Sequence, residues 1–222
     1  MGRPQITAGL LAVVGLTVFA PGYAAAQSES GPYVALGVGY DSMPDRDLKI
    51  SGFTVSSQWK HGWGGLAALG YKWPSGLRTE AELSGRVSTV TAFNGAFPWA
   101  GKQWANSVMF NALYDFNTGG PITPYVGFGL GVTQVVWGDR FRASLQRNPI
   151  IYDDEGIRMG WQGIAGVSYS VTPKLALALD GRINGSFGDY SFRGSVPGTE
   201  ITNFNYRSHG VFASARYSFG KQ

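Results

Sequence analysis

Three observations predict an all-β fold, an eight-stranded antiparallel up-and-down transmembrane β-barrel. Apolar and polar residues alternate in about eight segments along the chain, the signature of strands with two unlike faces. Most of these segments run to about 10 residues or more, against a usual ~5–6, which suits a tilted strand crossing a bilayer. The connections alternate long and short, as they do when turns close one end of a barrel and loops cover the other.

The first segment is Tyr33–Asp41, with Val34, Leu36, Val38 and Tyr40 on one face and Ala35, Gly37 and Gly39 on the other. A polar stretch follows to about Lys60. His61–Trp73 puts Trp63, Ala67, Leu69, Tyr71 and Trp73 together, and Trp73-Pro74-Ser75-Gly76 is a tight turn. Leu77–Thr89 alternates Leu77, Thr79, Ala81, Leu83, Gly85 and Val87 with Arg78, Glu80, Glu82, Ser84 and Arg86. A loop containing Asn94-Gly95 and Pro98 leads to Trp104–Phe116, where Val108, Phe110, Ala112, Tyr114 and Phe116 oppose Ser107, Asn111 and Asp115. After the turn NTGGPITP, Tyr125–Val136 sets Val126, Phe128, Leu130 and Val132 against Gly127, Gly129 and Gly131. A long polar loop reaches about Gly156. Ile157–Val171 groups Met159, Trp161, Ala165, Val167 and Tyr169, and Thr172-Pro173-Lys174 turns the chain. Leu175–Phe187 sets Leu175, Leu177, Leu179 and Ile183 against Asp180, Arg182 and Asn184. A last loop with Gly194, Pro197 and Gly198 precedes Asn205–Phe219, which closes on Val211, Ala213, Ala215, Tyr217 and Phe219.

These apolar faces are expected to point outward into lipid, because a closed barrel satisfies every backbone N–H and C=O without an edge. The alternate residues then point into a lumen too narrow to be empty. Arg78, Glu80, Glu82, Arg86, Asp115, Asp180, Arg182 and Arg216 are expected to form an internal ion-pair network, with inward glycines at 37, 39, 127, 129 and 131 leaving room for the long charged chains. With the N-terminus periplasmic, Tyr71, Trp73, Tyr114, Phe116, Tyr169, Tyr217 and Phe219 fall near one membrane interface. Tyr40, Trp63, Trp104 and Trp161 fall near the other, giving two aromatic belts.

Composition agrees with this reading. Of 222 residues, 33 are glycine, 14% are aromatic and only 14% are charged, low for a water-facing surface. Mean hydropathy close to zero follows if only half of each strand meets lipid. The formal charge of +4 is too diffuse for nucleic-acid binding. The absence of cysteine excludes thiol catalysis, disulfides and Cys-ligated metals. The basic start, the apolar Ile6–Ala20 and Ala24-Ala25-Ala26 read as a secretory signal peptide, residues 1–26, cut before Gln27, with the barrel domain over 27–222.

The segments GPYVALGVGYD, GWGGLAALGYKWPSGLRTEAELSGR, NALYDF followed by PYVGFGLGV, WQGIAGVSYSVTPKLALALDGR and the closing RYSF resemble the OmpA-like outer-membrane β-barrel family of Gram-negative bacteria. The resemblance runs over the whole of 27–222. It implies an eight-stranded barrel in the outer membrane, inserted by the barrel assembly machinery, which reads a final strand of alternating hydrophobics ending in an aromatic. Here Val211 to Phe219 has that form, but Gly220-Lys221-Gln222 continue past it. Some members also carry a periplasmic peptidoglycan-binding domain, for which the barrel leaves no residues in this sequence.

Few residues suggest chemistry. Ser208 and His209 are the pair to weigh for a lipid A-modifying enzyme, but adjacent strand residues point to opposite faces. Glu80 and Glu82 read as salt-bridging rather than acid–base carboxylates, and the glycine runs lie mid-strand, away from any helix that would cradle phosphate. Arg140, Arg142 and Arg147, followed by Asp153, Asp154 and Glu155, read by default as a solvated, self-paired loop, with a contact to lipopolysaccharide phosphates as the sharper reading. The functional expectation is a non-catalytic outer-membrane protein without cofactor or metal, with a structural and surface-interaction role. A small low-conductance pore and a lipid A-modifying enzyme are the alternatives.

Overall fold

A computed structural model describes residues 30–50, 53–93, 97–141, 150–194 and 200–219. The signal segment, Arg142 and Arg147 lie outside them. Among the described residues eleven strands form one sheet: β1 (Gly31–Ser42), β2 (Arg46–Ile50), β3 (Phe53–Lys72), β4 (Leu77–Phe93), β5 (Phe97–Asp115), β6 (Ile122–Phe141), β7 (Ile150–Ser170), β8 (Leu175–Ser186), β9 (Tyr190–Arg193), β10 (Glu200–Phe204) and β11 (Arg207–Ser218). Eight of them, β1, β3 to β8 and β11, pair antiparallel with their neighbours, and β1 closes the ring by pairing with both β11 and β3. The turn between β3 and β4 is fixed by Gly76, whose φ of 87° is open to glycine and strained for other residues, and by Trp73 N–H donating to Leu77 O at 2.8 Å.

The register fixes the geometry of the barrel. One row runs Pro32, Tyr71, Thr79, Ala112, Phe128, Gly163, Ile183, His209 and back onto β1 at Ser42, ten residues beyond its start. The shear is therefore 42 − 32 = 10. With a rise of about 3.3 Å and strands about 4.8 Å apart, eight strands at this shear tilt by about 41° around a radius of about 8 Å. Each residue along a strand climbs about 2.5 Å, and each step along the row climbs about 3 Å. Placed on this scale, Tyr71, Trp73, Tyr114, Phe116, Tyr169, Tyr217 and Phe219 lie within about 8 Å of one level. The mean level of Tyr40, Trp63, Trp104 and Trp161 is about 23 Å above it, close to the roughly 25 Å apolar band of an outer-membrane barrel. Between the rings the outer wall is apolar, with Phe110 70% and Leu36 66% exposed.

The structure departs from the sequence reading above the upper ring. β1, β8 and β11 stop near it, but β3 to β7 are 17 to 21 residues long and continue past it. On the short side β2, β10 and β9, expected to be loop, take over the wall: β2 pairs with β3, β10 with β2, β9 with β10. β9 returns to β7, where Arg193 N–H donates to Asp154 Oδ2 at 2.9 Å and Arg158 Nε donates to Asp189 O at 3.0 Å. The barrel thus has two storeys, and their polarity is reversed. In the lower one charges face in and apolar groups face out. In the upper one Val135, Trp137, Tyr190, Phe192, Ile201 and Phe204 are fully buried, an apolar core of the kind a water-bathed barrel requires.

Candidate functional site

Among the described residues the lumen gathers the largest set of charged groups, and alternation brings them there. All eight predicted network residues are buried. At the short-turn end Arg78 joins Asp115 (Nε to Oδ1, 2.8 Å) and Glu80 (Nη1 to Oε1, 2.9 Å), and Lys72 reaches Asp115 at 3.4 Å. Halfway up, Arg182 joins Glu82 at 2.7 Å and Asp180 at 2.5 Å. At the upper ring Arg86 faces Asp41 at 3.6 Å and donates to Asn184 Oδ1 at 3.0 Å. Five cations, Lys72, Arg78, Arg86, Arg182 and Arg216, are matched by five carboxylates, Asp41, Glu80, Glu82, Asp115 and Asp180.

Amides and phenols tie the levels together. Asn111 donates to Glu82 Oε2 at 3.0 Å and accepts from Gln162 at 2.7 Å; Tyr33 donates to Glu80 at 2.5 Å and Tyr125 to Asp180 at 2.7 Å. The guanidiniums also stack on rings. Arg78 lies 4.8 Å from the Tyr125 centroid, and Phe212 lies between Arg86 (5.7 Å) and Arg182 (5.3 Å). Arg216 lies 5.5 Å from the Tyr33 ring, with no hydrogen-bond partner at Nε or Nη2 among the described residues. Asp41, Lys72, Tyr33, Tyr125 and Phe212 were missed in the sequence, although each has the inward parity of its strand. Replacing Tyr33 by phenylalanine should lower the unfolding free energy by about 1.5–3 kcal/mol, since a buried carboxylate loses a hydrogen bond. Urea-unfolding midpoints in lipid vesicles measure it.

The inward glycines have a different role from the one expected. They make room for apolar and amide side chains rather than for Arg and Glu. A Cβ at Gly127 would strike Leu113, at Gly131 Met109, at Gly129 Asn111 and Gln162, and at Gly39 Phe212. Above this packing the aromatic core of the upper storey roofs the lumen. Trp137 packs edge-on to Phe204 at 5.4 Å and Tyr190 stacks on Phe192 at 5.9 Å. Tyr190 donates to Thr133 O at 2.9 Å, and burial pushes its phenol up to about 12, so it remains a neutral donor.

Ser208 and His209 point to opposite faces. Ser208 is buried with Asn184 and Tyr206 (3.3 and 3.1 Å), while His209 is exposed on the outer wall. Arg140 stands on β6 opposite Ala100 and Ile151, at the far end of the upper storey.

A family model described as "Outer membrane protein beta-barrel domain" matches residues 8–219. A relative described as an outer membrane protein of Gluconacetobacter diazotrophicus is 32% identical over 212 residues, 85% of this chain; the chain spans 55% of that relative's length. Among solved structures, Neisserial surface protein A is 22% identical with a TM-score of 0.54, covering 86% of this chain and 98% of its own. The outer membrane protein OprG of Pseudomonas aeruginosa has a TM-score of 0.60 at 13% identity, covering 87% and 99%. The outer membrane protease OmpT of Escherichia coli has 0.54 at 13%, covering 85% and 97%. At these identities the structures share the fold; their differing descriptions show that it serves more than one role.

Proposed function

The chain belongs to the outer membrane protein beta-barrel domain family, and on that premise we propose that it is a sealed, non-catalytic barrel that braces the outer membrane and presents its long-loop end to the outside. The N-terminus and the short turns then lie in the periplasm. One observation carries the reading: the described inward residues are buried, in a charge-balanced network below and an apolar aromatic core above. Such packing among the described residues weighs against the pore. The opposed directions of Ser208 and His209 weigh against a lipid A-modifying enzyme built on that pair. The upper storey, standing clear of the apolar band, is the part available to lipopolysaccharide sugars or external partners, Arg140 among its residues. Val211, Ala213, Ala215, Tyr217 and Phe219 all face out along β11, the pattern proposed above for the barrel assembly machinery.

Planar-bilayer recording of the purified chain tests the seal. No resolvable channel steps are expected from the unaltered protein. Steady single-channel steps would overturn the reading and restore the small pore.

A further inference from the structure

Both histidines of the chain arrive at one place on the outer wall. The β1–β11 ladder sets His209 opposite Ser42. The β1–β3 ladder ends at Asp41 opposite Gly62, so His61 follows beside Ser42 on the other side. Gly62, Asp41 and Ser208 are buried, while His61 and His209 are exposed, so the trio His61, Ser42, His209 faces outward. Arg207, two residues from His209 and also exposed, faces the same way; its Nε donates to Asn205 Oδ1 at 3.2 Å. The His61 ring leans onto Tyr40 at 4.9 Å, and Tyr40 meets Trp63 edge-on at 5.9 Å. The acidic neighbours are Asp41, turned inward to Arg86, and Asp45, exposed in the link after β1.

Height and spacing choose the ligand. The four residues lie about 22–28 Å above the lower aromatic ring, at the level of Trp63 and Trp104, where head groups meet the wall. The two histidine Cα atoms are two strand spacings apart, about 10 Å, on a convex surface. The pair lacks the further ligands of a metal site, since no group of three such side chains stands together among the described residues. It suits a tetrahedral oxyanion seated over Ser42, with an imidazole on each flank. Directly below are Tyr40, Val38 and Val211, each more than 40% exposed, a surface for acyl chains rather than water.

We propose that His61, Ser42, His209 and Arg207 form a seat for the phosphate of a lipid head group in the leaflet at the long-loop end. The phosphate oxygens accept from the imidazoles, the serine hydroxyl and the guanidinium, and the acyl chains lie along Tyr40 and Val211. The identity of that leaflet as the outer one rests on the orientation proposed above; the seat itself does not.

Native mass spectrometry of the full chain in detergent tests it, with bisphosphorylated lipid A, diacylglycerol and inorganic phosphate as probes. The unaltered protein should hold lipid A. His61→Asn with His209→Asn should weaken it by about tenfold or more, as lost phosphate hydrogen bonds require. Heat-modified gel mobility confirms that the double variant is still a closed barrel, and Ser42→Ala gives a second, smaller loss in a minimally altered wall. Equal retention by the double variant overturns the seat. Inorganic phosphate binding as well as lipid A overturns the lipid as the source, and diacylglycerol binding as well as lipid A overturns selection by the phosphate. Channel steps in a bilayer would remove the sealed-lumen reading while leaving these affinities untouched.

Discussion

Replacing Glu82 by alanine should lower the unfolding free energy by about 3–5 kcal/mol, the range for breaking a buried ion pair from one side. Glu82 is 1% exposed, and its Oε2 accepts from Arg182 at 2.7 Å and Asn111 at 3.0 Å. Without it the Arg182 guanidinium has Asp180 alone, and the Asn111 amide is left with Glu80 at 3.5 Å. Both groups are buried, Asn111 4% and Arg182 6% exposed, so neither exchanges its lost partner for bulk water. Glu82→Gln keeps an acceptor and loses only the charge, so its cost should be smaller. Arg193→Ala is the control: its pair with Glu200, at 3.8 Å, is largely solvent-exposed and should contribute less than about 1 kcal/mol. Urea-unfolding midpoints in vesicles, followed by tryptophan fluorescence, rank the three. If Glu82→Ala falls with Arg193→Ala, the network does not hold the barrel together.

Such a network was legible because strand parity is strict. On Leu77–Thr89 each second residue is charged or polar, and one face of a closed barrel must be the lumen. The same rule applied to Tyr33 and Asp41, which share parity with Gly37 and Gly39, would have placed them inside too. Partner choice was less legible. Arg86 faces Asp41 across β3, not the nearby Glu82, because the shear carries each row upward as it circles the barrel. The upper storey was missed for a different reason. Along β6 the inward set changes from Gly129, Gly131 and Thr133 to Val135 and Trp137, the mark of a wall leaving hydrocarbon for water. β9 and β10 have four and five residues, and their alternation, Tyr190 with Phe192 and Ile201, is too brief to separate from a loop.

This reversal of polarity predicts opposite responses to substitution at different heights. Phe110 faces out, 70% exposed, about 14 Å above the lower ring and near the middle of the band. Arginine there should cost about 2–4 kcal/mol, the price of a charge at the bilayer midplane. Val136 also faces out, but about 32 Å up, beyond the upper ring. Arginine there should cost about 0–1 kcal/mol, as near an interface. Its neighbour Trp137 faces in and is fully buried against Phe192 and Phe204. Trp137→Ala should therefore cost about 3–5 kcal/mol through the cavity it leaves. Leu130, outward in the lower storey and 45% exposed, should lose far less on truncation, since lipid refills the space. Vesicle unfolding of the four variants decides the matter. Equal costs for Phe110→Arg and Val136→Arg would mean that the apolar band extends past Trp104, and the level assigned to the aromatic rings would have to be abandoned. A small cost for Trp137→Ala would mean that the upper strands are held by their ladders alone. With both results as expected, one continuous sheet meets two solvents, and the height at which its polarity reverses marks the membrane surface.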